Sequence, residues 1–265
     1  MGIWEAISED IARQHIASEH VAPEHIVPEH LNGLLLRVVE SQEQIATNHL
    51  VDDLEKQAAL EDMLDNSKPP SPSVDGTLHY LLATPFRYLP LPFGSRFGAK
   101  HEPRLFYGSL TTETAFAETG YYRFLFWLGM SSPPPSKNLV TQHTIFSVPY
   151  KTDAGLKLQN PPFSDYQKQL LNPANYEDTQ NLGHAMRDNN IDAFEYLSAR
   201  DNNRGVNVAL FTAGALAATK PNDQEQWICE TTHESVRFYS IADRVSYSYR
   251  LNRYHVGEEF PEPAL

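Results

Sequence analysis

One cysteine in 265 residues, Cys229, leaves the chain without an internal disulfide or a thiolate zinc site. Its setting, QWICET, is strand-like, which suits a small buried apolar side chain better than a nucleophile. Neither GxGxxG nor GxxxxGKS/T occurs, so the nucleotide folds built on those loops gain no support. No apolar run is long enough to cross a bilayer; YYRFLFWLGM carries Arg123 and is far too short. The opening residues, MGIWEAISEDIARQ, lack the basic segment and apolar core of a secretory signal. Positive charge is scarce too, with 21 Lys and Arg against 34 Asp and Glu and a formal net charge of −13. That balance, with no basic stripe, argues against direct contact with nucleic acid or an anionic membrane. It suits a cytoplasmic protein and would suit a basic protein partner.

What is present begins with a five-residue repeat, HIASE-HVAPE-HIVPE-HLNGL, which puts His15, His20, His25 and His30 in register. Five matches neither the helical nor the strand period, and Pro23 and Pro28 discourage one continuous helix. An extended or turn-rich lead-in is expected, with a metal-binding histidine tract as the alternative. LLLRVVES, from Leu34 to Ser41, reads as the first core strand. NHLVDDLEKQAALEDMLDNS reads as an amphipathic helix, and SKPPSPSVDG as an exposed break. LHYLLATPFRYLPLPFGSRFG carries short strand potential punctuated by Pro85, Pro90 and Pro92. Later, LVTQHTIFSVPY, IDAFEYL, GVNVALF, EQWICETT and SVRFYSIA read as strands, DYQKQLL and YEDTQNLGHAMRDNN as helices, and TAGALAA as a short helical insert. Strands outnumber helices without regular alternation, which predicts an α+β fold.

LFYGSLTTETAFAE poses the sharpest question. A strand at Leu105–Tyr107 passes through a Gly-Ser-Leu turn into a helix that starts at Thr111-Thr112 and stops at Gly129. On that helix Ala115, Glu118, Tyr122 and Leu125 share one face, so Glu118 sits in an otherwise apolar and aromatic stripe. A carboxylate there is either solvated at an exposed edge or met by a cation and several donors. Arg96 lies eleven residues before Tyr107, and Tyr107 eleven before Glu118. Arg96 stands in GSRFG between Gly94 and Gly98, which would let backbone approach a ligand. Ser198 ends a strand in EYLSARDNNRGVNVALF. Each has a structural alternative: Arg96 paired with carboxylates, Tyr107 a core residue, Ser198 a loop cap.

The ordered set Arg96, Tyr107, Glu118 and Ser198, in the phrases GSRFG, LFYGSLTTETAFAE and EYLSAR…GVNVALF, resembles the RES domain, named for its Arg, Glu and Ser residues. RVVESQEQIA resembles its opening strand with Arg37 as its arginine; Arg87, in PFRY, competes for that role. The lead-in over 1–33, the segment at about 45–80 and the tail over 257–265 fall outside the pattern, which spans 34–256. The resemblance implies an ADP-ribosyltransferase-like core of short strands around a cleft with flanking helices. It implies NAD as the substrate, no metal, and cleavage of the nicotinamide–ribose bond by water or phosphate. It further implies the toxin of a bacterial toxin–antitoxin pair, with an antitoxin as partner; a homo-oligomer is left open. ADP-ribosyl transfer to another acceptor is the enzymatic alternative, and a non-catalytic interaction module the other. Catalytic candidates are Glu118, Arg96, Tyr107 and Ser198; substrate-binding candidates are Arg37, Arg87 and Asn207. Glu118 would stabilise the ribosyl cation and Arg96 hold the diphosphate, with Arg37 a second clamp. Tyr107 would pack on nicotinamide or ribose, and Ser198 would hold the geometry.

Overall fold

The computed structural model describes residues 2–17, 26–41, 63, 77–88, 93–132 and 134–262. His20, His25, the SKPPSPSVDG break and, Met63 apart, the helix read over NHLVDDLEKQAALEDMLDNS lie outside these residues. The chain begins with α1 (Ile3–Ala17) rather than an extended lead-in, and His15 is on that helix. Ile3, Ile7 and Ile11 recur every four residues, and the first two are buried in one cluster with Leu182 and Met186. Past the undescribed part of the repeat, residues 26–28 are not helical and the chain is extended from Glu29. His30 lies on β1 (Glu29–Glu40), exposed, with Nδ1 2.6 Å from Asp153 Oδ1.

Among the described residues eight strands form one mixed sheet, so the fold is α+β. In chain order they continue as β2 (Phe106–Ser109), β3 (Leu139–Lys157), β4 (Ala193–Leu197), β5 (Val206–Leu210), β6 (Gln224–Thr231), β7 (Ser235–Ser240) and β8 (Val245–Arg250). Adjacent strands run β1-β2-β5-β4-β3-β6-β7-β8, and β1 also pairs with β3, so the first five strands of that order close into a ring. Long β3 makes this possible. Its middle pairs β1, its far end runs parallel to β4, and its first half pairs β6 of the outer meander. VSYSYR forms the edge strand β8.

Helix α2 (Tyr80–Arg87) occupies a segment with expected strand potential. Leu81, Leu82, Pro85 and Phe86 fit one helical face against the ring's apolar cluster, and His79 caps the first turn by accepting from Leu81 N–H. Burial of that face outweighs the hydrogen bond lost at Pro85. Helix α3 (Thr112–Leu128) is capped by Thr111 at one end and Gly129 at the other. Its Phe116, Ala117, Tyr121 and Phe124 seal the cluster formed with β6, β7 and β8. Two further helices, α4 (Gln167–Leu170) and α5 (Glu177–Asp188), precede β4, with the stop at Asn189 and Asn190. Gly183 lets α5 touch the 94–98 turn, since a Cβ there would come within 2.8 Å of the Phe97 carbonyl carbon. No described helix is long and apolar enough to cross a membrane.

His143, on β3 beneath α3, is 2% exposed and its Nδ1 has no partner among the described residues. Burial, with the Arg123 charge nearby, pulls it from 6.5 down to about 4. Between those values the unfolded chain takes up a proton that the native state refuses. Stability present above about pH 6.5 should therefore fall by about 3 kcal/mol on acidification to pH 4. Urea unfolding across that range should show the loss, and His143→Gln should flatten it.

Candidate functional site

Strand register decides which side chains meet. Ser109 of β2 lies opposite Asn207 of β5, which lies opposite Tyr196 of β4. Directly opposed residues share a sheet face, as do residues two apart on one strand. Tyr107, Ser109, Asn207 and Tyr196 therefore face the same way, and Ser198 follows just past the end of β4. Glu118 comes down on this face from α3. Its Oε1 accepts from Ser198 Oγ at 2.6 Å and from Asn207 Nδ2 at 2.7 Å. Ser198 Oγ in turn accepts the N–H groups of Arg200 and Asp201, so its own proton is committed to Glu118. That loop is pinned further by Asp201, which accepts from Thr114 Oγ1 and Arg253 Nη2 at 2.9 Å each.

Oε2 of Glu118 makes no hydrogen bond among the described residues. Around it opens a cleft of about 410 Å³, lined by Arg37, Arg96, Tyr107, Ala115, Glu118, Tyr122, Tyr176, Tyr196 and Asn207 among others. This answers the question posed by the α3 stripe. Ala115, Glu118 and Tyr122 line the cleft, while the core is sealed by the neighbouring face of the helix. Glu118 is neither buried unpaired nor loose in solvent.

Arg96 and Glu118 line the same hollow, with no carboxylate at salt-bridge distance from Arg96 among the described residues. Arg96 is 6% exposed; its Nη1 donates to the carbonyls of Leu170 and Asn172, and its guanidinium stacks 4.5 Å over the Tyr176 ring. Nη2 is buried without a partner. Arg37 repeats the pattern: Nη1 donates to Tyr107 O at 2.6 Å, the guanidinium covers the Phe106 ring, and Nε is buried and unpartnered. Burial pulls Arg37 from 12.5 down to about 10, which leaves it cationic at neutral pH. Two desolvated cations that no carboxylate pairs among the described residues give the cleft wall a charge that suits an anion.

Tyr107 offers its ring to the cleft but not a free hydroxyl. That oxygen accepts from Phe97 N–H and bonds Ser95 Oγ at 2.9 Å, so it braces the turn carrying Arg96. Burial pushes the phenol up to about 12. Gly94, at φ +73°, is required by the turn itself, because a Cβ would meet the Gly98 carbonyl oxygen at 2.5 Å. Ser198 and Asn207 reach Glu118, as just described. Arg87 ends α2, which gives the cleft Thr84 and Pro85; Arg87 is not among the lining residues, whereas Arg37 is. Sequence reasoning missed Ser109, Tyr176 and Tyr196. Ser109 and Tyr196 become visible once strand register is known, and Tyr176 only once α5 is placed.

Pyrophosphate is expected to stabilise the wild-type chain by about 2.7 kcal/mol at a hundredfold excess over Kd, read as a rise in its thermal midpoint. Arg37→Met should abolish the shift. An unmoved midpoint, or an equal shift in the variant, would remove the cleft as an anion site.

No curated protein sequence matches the chain. The family model described as the RES domain matches residues 73–232, more than half of the 265 residues, and takes in Arg87, Arg96, Tyr107, Glu118, Ser198 and Asn207. The chain belongs to the RES domain family.

Proposed function

We propose that this chain is an NAD-consuming enzyme that cleaves the nicotinamide–ribose bond within the cleft. The RES family is associated with NAD-related toxin–antitoxin systems. One observation carries the reading: a carboxylate whose Oε1 is saturated by Ser198 and Asn207 shares a cleft with two buried guanidinium groups that no carboxylate pairs among the described residues. A dinucleotide diphosphate is an anion of the kind such cations attract.

Breaking the C–N bond sends its electron pair to the pyridinium nitrogen, so nicotinamide leaves neutral and needs no proton from the protein. This distinguishes it from an ordinary glycoside, whose cleavage divides the work between two carboxylates. Positive charge develops on the ribose, and Glu118 is the group that stabilises it. The acceptor then bonds the anomeric carbon, water giving up a proton to solvent as its oxygen does so and phosphate adding through an anionic oxygen. Ser198 serves by holding Glu118; its proton already goes to that carboxylate, and no imidazole is bonded to it among the described residues, so it is not an activated nucleophile. In this reading the chain is the toxin of a bacterial toxin–antitoxin pair, acting in the cytoplasm with an antitoxin protein as its partner.

Incubation with NAD, with and without inorganic phosphate, tests the proposal by release of nicotinamide and by formation of ADP-ribose or its phosphate ester. Glu118→Gln, nearly isosteric but uncharged, is expected to lower kcat by about 10²–10³ with little change in KM. Full activity in that variant would overturn the assignment. Label transfer that appears only when an acceptor is added would make the chain a transferase instead.

A further inference from the structure

Ser109 sits at the end of β2, 3% exposed, directly across from Asn207. The orientation of the Asn207 amide is fixed by its neighbours. Nδ2 must face Glu118 Oε1, because an amide oxygen 2.7 Å from a carboxylate oxygen would be repelled. Oδ1 then points at Ser109 Oγ, 2.6 Å away, and since Oδ1 can only accept, Ser109 must donate. Proton direction is thus determined along the whole series, from Ser109 to Asn207 to Glu118. Asn207 is 1% exposed, which limits how far water from the cleft can replace the Ser109 donor.

We infer that Ser109 is a positioning residue for Glu118, acting through the Asn207 amide. Without the Ser109 hydroxyl, Oδ1 is left buried and unsatisfied. The soft terminal torsion of the asparagine lets the amide turn toward another donor and takes Nδ2 off the carboxylate. Glu118 would then hang from Ser198 alone, and a carboxylate held by one hydrogen bond swings about it. The atom that loses its aim is Oε2, which faces the developing charge in the proposed reaction. The inference rests on that reaction for its kinetic consequences, but not for the geometry itself.

The test compares Ser109→Thr, which keeps the hydroxyl, with Ser109→Val, which has the same shape without it. Ser109→Ala serves as a smaller second variant should the branched side chains disturb β2. With NAD as substrate, Val and Ala are expected to lower kcat about tenfold with KM within about twofold, while Thr keeps at least about half of kcat. In an Asn207→Ala background the difference between Thr and Val should vanish, because the group that transmits it is gone. A readout independent of turnover is the ¹⁵N–¹H side-chain amide signal of Asn207, identified by its loss in Asn207→Ala. It should shift in Val and Ala and stay in place in Thr. Equal kcat in Thr and Val, a difference that persists without Asn207, or an unmoved amide signal would each overturn the inference. Should NAD not be turned over at all, the proposed function falls and the amide signal alone decides for or against Ser109.

Discussion

The two hydrogen bonds that converge on Glu118 Oε1 are what the site depends on. They join three places that are distant in sequence: α3, the residue just past β4 and the start of β5. A carboxylate on a half-buried helix face has several soft torsions, and tethering one oxygen from two directions removes most of that freedom while leaving the second oxygen available. The donors are themselves constrained. Ser198 is fixed by two backbone N–H groups and Asn207 by Ser109, so rigidity passes from the sheet into the reacting group. The arginines follow the same logic from the opposite wall. Each spends part of its fork on backbone carbonyls and ring faces, which fixes the position of its charge.

The cleft is placed by packing rather than by flexible loops. Helix α3 has two working faces side by side, one closing the cluster over β6, β7 and β8, the other carrying Ala115, Glu118 and Tyr122. Moving Glu118 would mean moving Phe116, Tyr121 and Phe124, which are fully or almost fully buried. The 94–98 turn is anchored similarly: Phe97 contacts the rings of Phe194 and Tyr196, and the Tyr107 hydroxyl bonds its backbone. Preorganisation of this kind lets one charge act strongly, because no protein reorganisation accompanies its use.

Much of this was legible before the structure. Apolar periodicity and turn residues located most strands, the caps at Thr111 and Gly129, and the stop at Asn189 and Asn190. The ordered Arg, Tyr, Glu and Ser phrases pointed to residues that the fold brings together. Failures arose where one local pattern masked another. The isoleucine spacing of α1 lies ahead of the histidine repeat that dominates the lead-in, and the prolines of residues 85–92 hid the apolar face of α2. Which of Arg37 and Arg87 lines the cleft was not readable from sequence, because it depends on the pairing that sets β1 between β2 and β3. Ser109 read as part of a turn because its partner is 98 residues away.

The matched segment, residues 73–232, ends before β7 and begins after β1. Yet β1 completes the closed ring of strands and brings Arg37, and the residues past 232 grip α3 by its backbone. Tyr249 donates to Glu113 O, Tyr254 to Ala117 O, and Arg253 holds Asp201 beneath the serine loop. The recurrent unit of sequence and the physical unit that holds the cleft in shape therefore have different edges. Excised at the borders of the match, the segment would keep nearly every candidate side chain and lose the scaffold that aims them.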